Sequence, residues 1–70
     1  MTDRMFSQMR GELAVLEQLF KTGPTWDGDI VGKSYRDRII KKGWAERDDG
    51  WTYLTRDGVR HCVDIGIGRP

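Results

Sequence analysis

Seventy residues carry twelve Lys and Arg against eleven Asp and Glu, a net charge of +1 that excludes no class of partner. That length holds one core and no second domain, and the single cysteine, Cys62, excludes an internal disulfide and fits a reducing cytoplasm. No apolar run is long enough to span a bilayer, and the opening MTDRMFSQMR lacks a signal peptide's continuous apolar segment, so one soluble cytoplasmic domain over residues 1–70 is expected.

In chain order, Phe6, Met9, Leu13, Leu16 and Phe20 recur at the steps of one helical face, with Val15 and Leu19 flanking. Thr2 or Ser7 could cap this helix, Gly11 weakens its interior, and Gly23-Pro24 ends it. The turn-rich PTWDGDIVGKS leaves room for a turn or two of helix around residues 27–31, capped by Asp27. Ser34 is the expected N-cap of a helix that runs to Lys42 and ends at Gly43. Residues 44–54 then read as two short strands around Asp49-Gly50, a pair suited to a type I′ hairpin turn. In that register Arg47 faces Thr52, Glu46 faces Tyr53 and Ala45 faces Leu54. Thr55 caps a last helix with Val59, Cys62 and Val63 on one face, and residues 65–70 form a loose tail. Trp26 and Trp44, each following a chain reversal, are expected in the core.

Two stretches, LEQLFKTGPTW and SYRDRIIKKGWAERDDGWTYLTRDG, carry a resemblance to the winged helix-turn-helix family. The second follows that family's run of recognition helix, Gly, apolar residue, wing and Leu-Thr-x-x-Gly. More narrowly, WDGDIVGKSYRD followed by GW and LT is similar to small stand-alone winged-helix proteins of phage and prophage genomes. The resemblance implies an α+β, mainly α fold of three helices, a two-stranded β-hairpin wing and a short C-terminal helix. Here the second helix is abbreviated. It also implies DNA binding and transcription regulation, with the third helix entering the major groove.

Charge sorting along the chain agrees with that function. Residues 33–47 hold six cations, Lys33, Arg36, Arg38, Lys41, Lys42 and Arg47, against Asp37 and Glu46, while residues 23–32 hold only Asp27 and Asp29. On a helix of about 100° per residue, Arg36, Ile39 and Ile40 share the inward side. Ser34, Asp37, Arg38 and Lys41 share the outward side, with Tyr35 and Lys42 flanking. Arg38 could fork onto a guanine edge, and Lys33, Lys41, Lys42 and Arg47 could neutralise phosphates. Ser34 sits where a helix N-terminus welcomes an anion, and Tyr35 could bond a phosphate or pack on sugar. Asp37 could orient Arg38 or Lys41, or accept from a cytosine amino group. Inward-facing Arg36 needs a partner, expected to be Asp27 or Asp29. With a module this small, a homodimer reading two half-sites is expected, through helix one or the terminal helix with Ile65 and Ile67.

The hairpin tip, Asp48-Asp49-Gly50 with Glu46 nearby, would repel a phosphate backbone. Trp51 and Tyr53 support a rival reading, a protein-interaction module on the same scaffold, although Trp51 could instead fold over Gly43 or Lys42. Asp27-Gly28-Asp29 lacks the further ligands of a calcium loop, and His61-Cys62 has no second pair to complete a zinc site. Cys62 is expected in the core and His61 at the surface. No nucleophile has a base partner and no glycine-rich phosphate loop is present, so neither enzyme, cofactor, metal nor small-molecule substrate is expected.

Overall fold

The computed structural model describes residues 2–68, with side chains from Arg10 onward. Helix α1 spans Thr2–Thr22, so the side chains of Thr2, Phe6, Ser7 and Met9 lie outside the described residues. Its buried stripe is centred on Val15, Leu16 and Leu19, while Leu13, expected inside, is 41% exposed. Helices α2 and α3 and the central strand of the sheet all pack against α1. The positive φ of Gly23 ends the helix, its N–H donating to the Leu19 carbonyl at 2.9 Å.

The next segment departs from the sequence expectation. Thr25–Trp26 forms a strand, β1, followed by a single 3-10 turn over Asp27–Asp29. The turn's N-cap position is Trp26, which offers no capping side chain, and Asp27, expected as the cap, lies inside the turn with its carboxylate held by arginines. Gln18 secures this turn to α1, donating to the Asp29 carbonyl at 2.6 Å and accepting from the Val31 N–H at 3.0 Å.

Helix α2 spans Lys33–Lys41 with Gly32 as its N-cap, so Ser34 lies inside the first turn and caps nothing. Gly43, at φ 82°, ends it as expected. The hairpin pairs β2 (Ala45–Asp48) with β3 (Trp51–Leu54) in the expected register, and Asp49 and Gly50 both take positive φ at the turn. A two-stranded wing is too small a description, because β1 adds to the far edge of β3, giving an antiparallel sheet of order β1-β3-β2. Helix α3 spans Arg56–Asp64, with Thr55 capping it by accepting from the Gly58 N–H at 3.1 Å. The Thr55 hydroxyl also donates to the Gly43 carbonyl at 2.6 Å, tying the hairpin exit to the end of α2.

Val15, Leu16, Leu19, Ile30, Ile39, Ala45 and Cys62 form the core. Strand alternation decides the fate of Trp26. Thr25 points inward with Thr52 and Ala45, so Trp26 points outward at 47% exposure, not into the core as expected. Trp44 is half-buried and stacks on His61, with centroids 3.8 Å apart, so His61 is covered more than a surface residue would be. Cys62 is fully buried, and burial pushes its thiol above its ordinary value. Val59 and Val63 are exposed, since the close approach of α3 runs through Gly58 and Cys62. Beyond α3 the chain turns back, the Ile67 N–H donating to the Cys62 carbonyl at 2.9 Å, whereas a loose tail was expected. Arg69 and Pro70 lie outside the described residues. Among the described residues, no helix is long and apolar enough to cross a membrane.

Candidate nucleic-acid interface

Helix α2 buries Ile39 and half-buries Tyr35, Arg36 and Ile40, so Lys33, Ser34, Asp37, Arg38, Lys41 and Lys42 are left exposed. That division follows the 3.6-residue period and matches the expected sides except at Tyr35, which was expected to flank the outward side and instead packs against Gly11 of α1. Two groups of ion pairs then fix the cations at the edges of this face.

The first group centres on Asp27. Arg36, its side chain 11% exposed, donates from Nη1 to Asp27 Oδ1 at 3.1 Å, and from Nε and Nη2 to Asp37 Oδ1 at 3.1 Å. The inward arginine therefore finds the acid that its burial demands. Arg47 grips the same Asp27 from β2, its Nε donating to both carboxylate oxygens at 3.0 Å while Nη2 donates to Oδ2. The Arg47 hydrogen bonds hold the Asp27 carboxyl below its ordinary value; burial opposes them, and the charges of Arg47, Arg36 and Lys33 add to them. Asp27 thus joins the turn, α2 and β2 through one carboxylate. Arg47, read from sequence as a phosphate contact, is turned toward this pair.

The second group centres on Glu12 of α1, whose side chain is only 18% exposed. It accepts from Lys42 Nζ at 2.6 Å and lies 3.9 Å from Arg38 Nη1. Lys42 also sits 5.0 Å from the Trp44 ring centre, and Arg38 lies 5.7 Å from that of Tyr35. Tyr35 in turn fills space that only Gly11 leaves, since a Cβ at Gly11 would overlap the Tyr35 ring. The glycine that weakens α1 locally is what lets α2 approach it.

Of the seven residues expected at a DNA surface, Lys33, Ser34 and Lys41 are exposed with no ion pair among the described residues. Arg38 and Lys42 are exposed but share Glu12, Tyr35 packs between helices, and Arg47 binds Asp27. Asp37 is engaged by Arg36, and neither Arg38 nor Lys41 bonds it. Six cations on or beside α2 therefore meet three bonded carboxylates, Glu12, Asp27 and Asp37, an excess of three positive charges.

Sequence reasoning missed Glu12 and Gln18. A signal for Glu12 was present, because it lies three and four residues before buried Val15 and Leu16 and so shares their side of α1. Of the residues expected at a dimer face, Ile65 is 44% exposed beside Leu13 and Trp44, whereas Ile67 packs against the core. Among the described residues, no three His, Cys, Asp or Glu side chains gather as a metal site would need. Comparison of the chain with known protein families, with curated proteins and with solved structures finds no match in any of the three.

Proposed function

We propose that this chain is a small winged helix-turn-helix protein that binds double-stranded DNA through the exposed face of α2, as a regulator of transcription. The order of elements supports the family reading: a long helix, a two-residue strand, a single 3-10 turn, a short helix, a hairpin and a last helix. The observation that carries DNA binding is the excess of three positive charges on and around α2. Lys33 and Lys41 are eight residues apart, a rise of about 12 Å along the helix, close to the major-groove width of about 12 Å. They suit phosphates on either side of a groove that α2 enters. Arg38, between them, is the candidate for a base edge. The first turn of α2 has no side-chain cap, which leaves backbone N–H groups beside Ser34 for a phosphate. The acidic hairpin tip stays off the backbone. So few phosphate contacts bind weakly, and two copies on paired half-sites would supply the missing affinity.

Fluorescence anisotropy with a labelled random-sequence duplex tests the proposal. Three neutralised phosphates give a log–log salt slope of about −2.7, so affinity falls about 40-fold between about 50 and 200 mM salt. Lys33→Ala and Lys41→Ala each make the slope shallower by about one, and Trp51→Ala leaves it unchanged. A slope near zero, or one indifferent to both lysines, would end the DNA reading.

A further inference from the structure

The side of the sheet turned away from the core carries a second, chemically different surface. On β3, Trp51 and Tyr53 lie two residues apart and so project to one side. The register sets Trp26 and Asp48 on either flank of Trp51, and Glu46 beside Tyr53. Thr25, Thr52 and Ala45 take the buried side. Three aromatic rings and two carboxylates thus share one face, with Asp49 at its end.

The aromatic pair is built in, not loosely placed. Trp26 and Trp51 are 47% and 46% exposed, and their rings meet edge to face at 5.5 Å and 61°. Trp26 lies against Gly50, where an added Cβ would stand 2.5 Å from the ring, and beside Gly28, where it would stand 3.3 Å away. The Asp27 N–H donates to the Gly50 carbonyl at 2.9 Å and fixes this approach.

The carboxylates of the face make no ion pair among the described residues. Among those residues, Glu46 accepts only the Tyr53 hydroxyl, at 3.3 Å, and Asp48 and Asp49 have no cationic partner. The nearby arginines are drawn to Asp27 and Asp37. Glu46, then burial, then Asp48 hold the Tyr53 hydroxyl above its ordinary value, as an unbalanced negative field would.

We propose that this face docks an arginine- or lysine-bearing segment of a partner protein. Its cationic groups lie over the Trp26 and Trp51 rings and bond Glu46 and Asp48, while its apolar side chains cover the rest of the rings. A polyanion is excluded by the same carboxylates, so this surface is distinct from the α2 face and does not rest on the DNA reading.

The probes are a synthetic peptide of alternating arginine and leucine and a twin with glutamate in place of arginine. Each is titrated into isotope-labelled protein while the three indole N–H signals are followed by NMR. The arginine peptide shifts the Trp26 and Trp51 indoles and leaves Trp44 in place; the glutamate twin shifts none. Trp51→Ala weakens binding at least tenfold, and the Glu46→Gln, Asp48→Asn double variant, whose changes are confined to exposed side chains, weakens it about fivefold. Lys41→Ala has no effect. Equal binding of both peptides, or an unchanged affinity in the double variant, overturns the proposal. So do indole shifts that track protein concentration without peptide, because the occupant is then a second copy of this chain.

Discussion

Glu12→Gln removes a carboxylate that both Arg38 and Lys42 reach, while keeping a side chain of the same shape. If α2 faces DNA, Glu12 opposes binding twice, by occupying two cations and by repelling the phosphates that they would meet. A unit charge about 7 Å from a phosphate is worth about 0.6 kcal/mol in water. Two such phosphates give about 1.2 kcal/mol, or about sevenfold tighter binding at low salt. The log–log salt slope steepens by about 0.9 for each phosphate newly neutralised. The cost to folding is about 1 kcal/mol, because the Arg38 and Lys42 side chains are 47% exposed, although Glu12 itself is 18% exposed. Anisotropy titrations at several salt concentrations read the affinity and slope, and thermal denaturation reads the stability. A folded Glu12→Gln protein that binds duplex no tighter, on an unchanged slope, would refute the reasoning.

Further predictions concern the framework that presents α2. Asp27 has a folded-state value below its ordinary 3.8, so its pairs stabilise the protein fully above that value and lose their contribution as pH falls through the lower, folded-state value. Asp27→Asn should flatten the acid limb of a stability–pH curve; an identical limb would remove Asp27 as its cause. Arg36→Ala should lower Tm more than Arg47→Ala, since the Arg36 side chain is 11% exposed against 49% for Arg47. The buried Thr52 Oγ1 has no hydrogen-bond partner among the described residues. Thr52→Val should therefore stabilise by about 1 kcal/mol, a rise of about 4–8 °C in Tm, and a fall would show that the hydroxyl is satisfied. Gly11→Ala gains about 1 kcal/mol of helix propensity, but forcing the Tyr35 ring aside costs about 1–3 kcal/mol. Calorimetry should show a net loss, and any gain would place the ring elsewhere.

The parts of the fold legible in the sequence were those set by local chemistry. Asp49-Gly50 fixed the turn, and the turn fixed the register of β2 against β3. An arginine on the isoleucine side of α2 demanded an acid, and Asp27 stood within reach of the preceding turn. What escaped depends on contacts between distant residues. Strand β1 has two residues, too few to show a period, and its partners on β3 lie 25 to 27 positions away. Without that strand Trp26 read as a core residue. The outward side of α2 was legible from its period, yet the carboxylate that holds two of its cations lies 26 and 30 residues upstream on α1. Arg47 read as free for the same reason, since its claim on Asp27 crosses 20 residues.

The most direct measurement is an NMR titration of the labelled protein with a short random duplex at low salt. Backbone shifts should concentrate on Lys33, Ser34, Arg38, Lys41 and Lys42, with the Trp26 and Trp51 indoles unmoved. Shifts confined to β3 and the aromatic face, or an α2 whose signals stay in place at saturating DNA, would contradict binding through this helix.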